Sequence, residues 1–336
     1  MSLMECLEKA NLPKNQTVLD NFIRAHKIIN NPSYNVIICS LSGGSDSDIM
    51  LDIISKVDEQ NKVHYVWFDT GLEYRATKDH LNYLEQKYNI KIERERAIKP
   101  IPLSCKEYGQ PFISKEVSSK IEGLQRHNFK FEDKPYNILL NEYPKAKCYI
   151  DWWCGIKVKD NDNRFTIYQN KYLKEFLIKY PPTFKISSKC CNYAKKNVSK
   201  EMIKKYKADL LIIGVRKAEG GVRATAYKNC FSENIHGCAQ YRPLFFYLDS
   251  DKLDYEKSCN IVHSDCYKVW GFKRTGCVGC PYNIKIQEDL LKVKKYEPKL
   301  YKAVNNVFKD SYEYTKQYRQ FVQDMKLKEK GIKKLF

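Results

Sequence analysis

Asn35-Val36-Ile37-Ile38-Cys39-Ser40-Leu41-Ser42-Gly43-Gly44-Ser45-Asp46-Ser47-Asp48 is the stretch on which the fold turns. A β-branched apolar run, Val36 to Ile38, reads as a buried strand. It breaks at a small-residue turn, and the spacing from Asp46 through Ile49, Met50, Leu51, Ile53 and Ile54 then predicts an amphipathic helix. Strand, glycine turn and helix N-terminus together make a backbone suited to phosphate. Two glycines let the chain turn tightly and approach a ligand closely. The unpaired N–H groups of the first helical turn face the anion, and the helix dipole favours it. Ser42, Ser45 and Ser47 add hydroxyls. The Gly-x-x-x-x-Gly-Lys-Ser/Thr pattern of the ordinary P-loop is missing, so cleavage of a terminal phosphate is not the expectation.

Downstream, Val63 to Phe68 is a second short apolar strand, followed by Asp69-Thr70-Gly71 and a helix through about Tyr88. Repeated strand and helix over some sixty residues (about 35–98) predicts a parallel, Rossmann-like α/β sheet with right-handed crossovers. Ligands of such sheets sit at the carboxyl ends of the strands, which puts Ser42–Ser47 and Asp69-Thr70-Gly71 on one rim. A weak third strand covers Ile92 to Ile98. A later strand, Asp209 to Ile213, runs into Gly214-Val215-Arg216 and on to Arg223, again glycine and basic residues at a strand end. Two arginines beside flexible backbone suit the bidentate grip of phosphate or sulfate.

The expected organisation is an N-terminal helical segment (1–33) and an α/β domain (34–250) with a helical insertion at about 117–185. A Cys-rich segment (251–290) and a basic helical tail (291–336) follow. The insertion's aromatic stripe, including Trp152, Trp153 and Phe176, reads as core rather than a base-stacking surface. His80 reads as a partly exposed structural residue.

The 336-residue chain is 43% hydrophobic and contains no run approaching the ~20 apolar residues of a membrane span. With no secretion-type leader it reads as cytoplasmic, with no membrane partner. Thirteen cysteines, an odd and partly clustered set, favour metal ligation over a disulfide framework. A net charge of +19 attracts polyanions, which brings tRNA or DNA into view as a partner. No recognisable reading module accompanies that charge.

Ser42-Gly43-Gly44-Ser45-Asp46-Ser47 resembles the Ser-Gly-Gly-x-Asp-Ser signature of the PP-loop enzymes. That superfamily holds ATP pyrophosphatases, which split ATP between the α and β phosphates, and the adenylylsulfate and phosphoadenylylsulfate reductases. Phe68-Asp69-Thr70-Gly71-Leu72-Glu73 resembles the second nucleotide-side motif of the reductase branch. The resemblance implies that Ser42 to Ser47, Asp69, Thr70, Gly71 and Gly214 bind an adenine nucleotide. Asp46 becomes a candidate for a Mg²⁺ shell, with Arg216 and Arg223 steadying the departing pyrophosphate or bound sulfate. A turn aspartate is the competing reading of Asp69.

Cys277-Val278-Gly279-Cys280 supplies two thiolates from one turn, half of a metal site. Adjacent Cys190 and Cys191 are the natural other half. The order Cys-Cys, Gly-x-Arg…Arg, Cys-x-x-Cys resembles the four-cysteine [4Fe–4S] pattern of the iron–sulfur adenylylsulfate reductases. A four-thiolate zinc site is the alternative, and Cys230, Cys238 or Cys266 is a possible replacement ligand. Those reductases attack with a cysteine in a C-terminal tail, whereas no cysteine follows Cys280. The expected activity is therefore ATP pyrophosphatase or adenylylation chemistry coupled to sulfur transfer, with a sulfur donor or reductant protein as partner. Sulfonucleotide reduction to sulfite is the first alternative. A nucleic-acid-binding or regulatory protein that keeps nucleotide and cluster as sensors is the second.

Overall fold

The computed structural model describes residues 3–156, 165–220, 226–235 and 237–330. The chain forms two compact units, residues 1–98 with 194–278 and residues 99–193 with 279–336.

The first unit is built on a six-stranded sheet: β1 (Ile37–Leu41), β2 (Val63–Asp69), β3 (Ile92–Arg96), β4 (Leu210–Ile213), β5 (Phe231–Ile235) and β6 (Cys238–Tyr241). Their order is β3-β2-β1-β4-β6-β5, parallel except for the β5–β6 hairpin at one edge. Central β1 pairs with β2 and β4, and a separate packed cluster covers each of its faces, which is why its apolar residues run together without alternating. Ile37, Cys39 and Leu41 join one core with Phe22, Ile49, Ile53 and Tyr255; Ile38 packs on the opposite face with Val66, Val198 and Leu211. Each such aliphatic side chain contributes about 1.5–3 kcal/mol by leaving water. The strand order reverses at β1, with β2 to one side and β4 to the other. That switch point opens a crevice above the strand ends.

The second unit is helical around an aromatic core. Leu139, Trp152, Trp153, Phe176 and Leu177 are buried, as the sequence stripe requires. Residues of the expected tail complete this core. Tyr314, on the helix Lys309–Glu329, lies 4.8 Å from the ring of Phe112 and 4.9 Å from that of Phe176. No helix among the described residues is long and apolar enough to cross a membrane.

Candidate functional site

The turn after β1 is shaped by its own side chains. Ser47 Oγ accepts from the Ser42 N–H at 3.0 Å, and Ser42 Oγ accepts from the Gly44 N–H at 3.3 Å. Gly43 has φ +66°, and a Cβ there would lie 2.5 Å from Thr77 Cγ2, so both handedness and space require glycine. Gly44 is extended, and the helix Ser45–Val57 begins immediately after it. First-turn N–H groups have no partner within a helix and point out of its end.

A cleft of about 1010 Å³ lies over this end of the sheet. Ser42, Gly44, Ser45, Asp46, Ser47, Gly214 and Arg216 line it. Asp46 stands between two cations: its Oδ1 accepts from Lys252 Nζ at 2.8 Å and its Oδ2 from Arg216 Nε at 3.1 Å. Burial would raise the Asp46 carboxyl, but Lys252 and Arg216 outweigh it and hold it below the ordinary carboxylate range. Lys252 also donates to Ser45 Oγ at 2.5 Å, and Arg216 donates to Asp249 at 2.8 Å. Both Asp46 oxygens are therefore engaged, and a Mg²⁺ on this carboxylate would have to displace a cation. Lys195, Lys196, Lys200, Lys204, Lys273 and Arg274 also line the cleft, an electropositive wall suited to a polyphosphate.

Asp69 caps its own turn, accepting from the Gly71 N–H at 2.9 Å, and buried Thr70 donates to Glu73. Trp67, Phe68, Glu73 and Thr77 are the cleft-lining residues of this segment. Arg223 lies outside the described residues.

Behind the turn, Asp48 is buried one helical residue past Ser47. Its Oδ2 meets His263 Nδ1 at 2.7 Å, and its Oδ1 lies 3.0 Å from His80 Nε2. His80 is buried in this network and not partly exposed, because its ring packs inward beside Asp48. The other ring nitrogen of His263 meets Glu256 at 2.9 Å. Burial pushes His263 down, but its hydrogen bonds to Asp48 and Glu256 prevail and raise it to about 9. A raised imidazole stabilises the fold fully below its unfolded value near 6.5, and that stability is lost as pH climbs through the folded value. The unfolding free energy is thus expected to fall between pH 6.5 and about 9, by up to about 3 kcal/mol, and the urea midpoint to fall with it. His263→Gln should flatten that slope; a wild-type midpoint constant over this window would rule out the imidazolium.

In the second unit, Cys190 has Cys105 and Cys191 in hydrogen-bonding range, and Cys280 close enough to act on it electrostatically. Hydrogen bonding with Cys105 is the largest influence and raises the Cys190 thiol well above its ordinary range. Cys190, Cys191 and Cys280 also lie near half-buried Tyr282. Cys277 belongs to the first unit, and the chain passes into the second between Val278 and Gly279. Cys230, Cys238 and Cys266 belong to the first unit too, each with its own neighbour: Arg24, the Ala239 carbonyl and Thr77. A separate group in that unit, Cys6, His26 and Glu59, brings three donor atoms within 4.8 Å of one another. These are held by a 2.8 Å His26–Glu59 pair and a Cys6 bond to the Lys56 carbonyl.

Lys252, His263 and Cys105 were not legible as site residues. Lys252 stands in an ordinary charged helix, Asp249–Ser258, and Cys105 is a lone cysteine on the helix Ile101–Tyr108.

The model of the phosphoadenosine phosphosulfate reductase domain matches residues 36–132 and 151–283. No curated protein matches the chain. Among the solved structures similar to it are these three. One is a phosphoadenylyl-sulfate reductase from Candida auris in a phosphate complex (11% identity, 82% of this chain and 96% of that one, TM-score 0.42). Another is the U34-tRNA thiolase NcsA from Methanococcus maripaludis with its [4Fe-4S] cluster (13%, 91% and 79%, TM-score 0.38). The third is the NH3-dependent NAD synthetase from Campylobacter jejuni subsp. jejuni NCTC 11168 in complex with the nitrate ion (11%, 89% and 95%, TM-score 0.37).

Proposed function

The chain belongs to the phosphoadenosine phosphosulfate reductase domain family, and from that premise we propose that it is a PP-loop adenylyl-nucleotide enzyme that activates an acceptor with ATP for sulfur transfer. The observation that carries this reading is Asp46 clasped by Lys252 and Arg216 at the mouth of the glycine turn. The turn and first-turn N–H groups receive phosphate oxygens. An acceptor oxygen bonds to the α-phosphorus, the bridging α–β P–O bond breaks, and pyrophosphate departs with the electron pair. Lys252 and Arg216 are pre-aimed at the charge that develops there, and a preformed donor set of this kind supplies much of the rate in such chemistry. Ser45 holds Lys252 in place.

The lysine wall and the net charge of +19 support a polyanionic acceptor, tRNA or DNA. Thiols of the second unit fit a [4Fe–4S] cluster in donor type and in mutual proximity, with Cys190, Cys191 and Cys280 among its holders. Bound there, the cluster would supply a soft site for sulfur or electrons. The protein's part is to keep those thiols together beside the half-buried tyrosines Tyr282 and Tyr312. The family match itself favours a second reading, reduction of a sulfonucleotide to sulfite.

Two assays separate them. Pyrophosphate release from ATP, stimulated by tRNA or DNA, is the expected result. Sulfite release from an adenylylsulfate with a dithiol reductant, without pyrophosphate from ATP, would replace the first reading by the second. Absence of both would leave nucleotide and cluster as sensors.

A further inference from the structure

In the second unit the helix that carries Cys105 packs on the short helix Lys189–Cys191, and Cys190 has Cys105, Cys191 and Cys280 as neighbours, although Cys105 belongs to no sequence motif. Its position is set by backbone geometry. Cys105 is 5% exposed, on the helix Ile101–Tyr108, which ends at Gly109. Directly beyond, the Gln110 N–H donates to the Lys185 carbonyl at 2.8 Å, and the Ser187 N–H donates to the Gln110 carbonyl at 3.0 Å. This parallel bridge between Gln110 and Ile186 fastens the Cys105 helix to the segment that delivers Cys190 and Cys191. Gly109 permits the approach: it has φ +114°, and a Cβ on it would lie 2.2 Å from the Lys185 oxygen. Cys280 is fixed independently, since the Gly279 carbonyl accepts from Tyr312 Oη and a Cβ on Gly279 would strike Tyr312 and Val304.

A [4Fe–4S] cluster takes four thiolates, one for each iron. We infer that Cys105 is a ligand of the iron–sulfur site and completes, with Cys190, Cys191 and Cys280, a four-thiolate set carried by one unit of the chain. The inference rests on the cluster reading given above and changes its ligand list: Cys277 is then not required for iron.

The test is anaerobic reconstitution of the full chain with ferrous iron and sulfide, read by iron and sulfide content and by electron paramagnetic resonance of the reduced sample. Wild type is expected to hold about four irons and about four sulfides per chain. Cys277→Ser should hold the same with an unchanged spectrum. Cys105→Ser should fall to three irons or fewer, or give an altered spectrum, while its circular dichroism stays that of wild type. A full iron complement with the wild-type spectrum in Cys105→Ser would overturn the assignment. So would loss of iron in Cys277→Ser, a result that stands even if Cys105→Ser does not fold. No iron on wild type would instead sink the cluster reading itself, which keeps the two failures distinct.

Discussion

Replacing Lys252 by alanine is expected to lower pyrophosphate release from ATP by about 10²–10³-fold, the usual cost of removing one preorganised donor aimed at developing charge. The fold should survive the change. Asp46 keeps Arg216 as partner at 3.1 Å, so no buried carboxylate is left unpaired. Lys252→Arg retains the positive charge but not the compact ammonium that reaches both Ser45 and Asp46, and it should recover only part of the rate. Steady-state assays at saturating ATP are the measurement. A Lys252→Ala enzyme within about threefold of wild type would show that the ammonium does not serve the transition state.

The largest stability effect is expected at Gly109→Ala. Its φ of +114° and ψ of 165° belong to a region that side chains other than hydrogen avoid, costing about 1–3 kcal/mol. The added Cβ would also meet the backbone of Lys185 at 2.2 Å, which cannot swing away as a flexible side chain can. Together these should exceed about 3 kcal/mol, within the range seen for strained backbone sites. Separation of the Cys105 helix from the Cys190 segment should follow, with loss of iron uptake. Gly271→Ala is the control: it shares a positive φ of +66° but has open space around it, so only backbone strain of about 1–2 kcal/mol is expected. Denaturant melts of both variants provide the comparison. Equal destabilisation would remove the steric contribution assigned to Lys185.

Much of the first unit follows from local pattern. The run around Ile37 and Ile38 reads as a strand because it is apolar without alternation, as a doubly covered parallel strand must be. The glycine turn and the helix from Ser45 follow from backbone freedom and helix-end chemistry, properties carried by neighbouring residues. Asp69 shows the limit of such reading. Its motif suggests a nucleotide contact, while its nearest donor is the Gly71 N–H of its own turn.

The sequence by itself determined the α/β class, the glycine turn between β1 and its helix, and the clustering of cysteines and of basic residues at strand ends, because each depends on residues within a few positions of one another. Only tertiary structure decided which distant side chains serve that turn and those thiols. Lys252 reaches Asp46 across 206 positions of sequence, and Cys105 meets Cys190 because Gly109 lets two backbones touch. Packing geometry makes both neighbourhoods, and no local spacing encodes it.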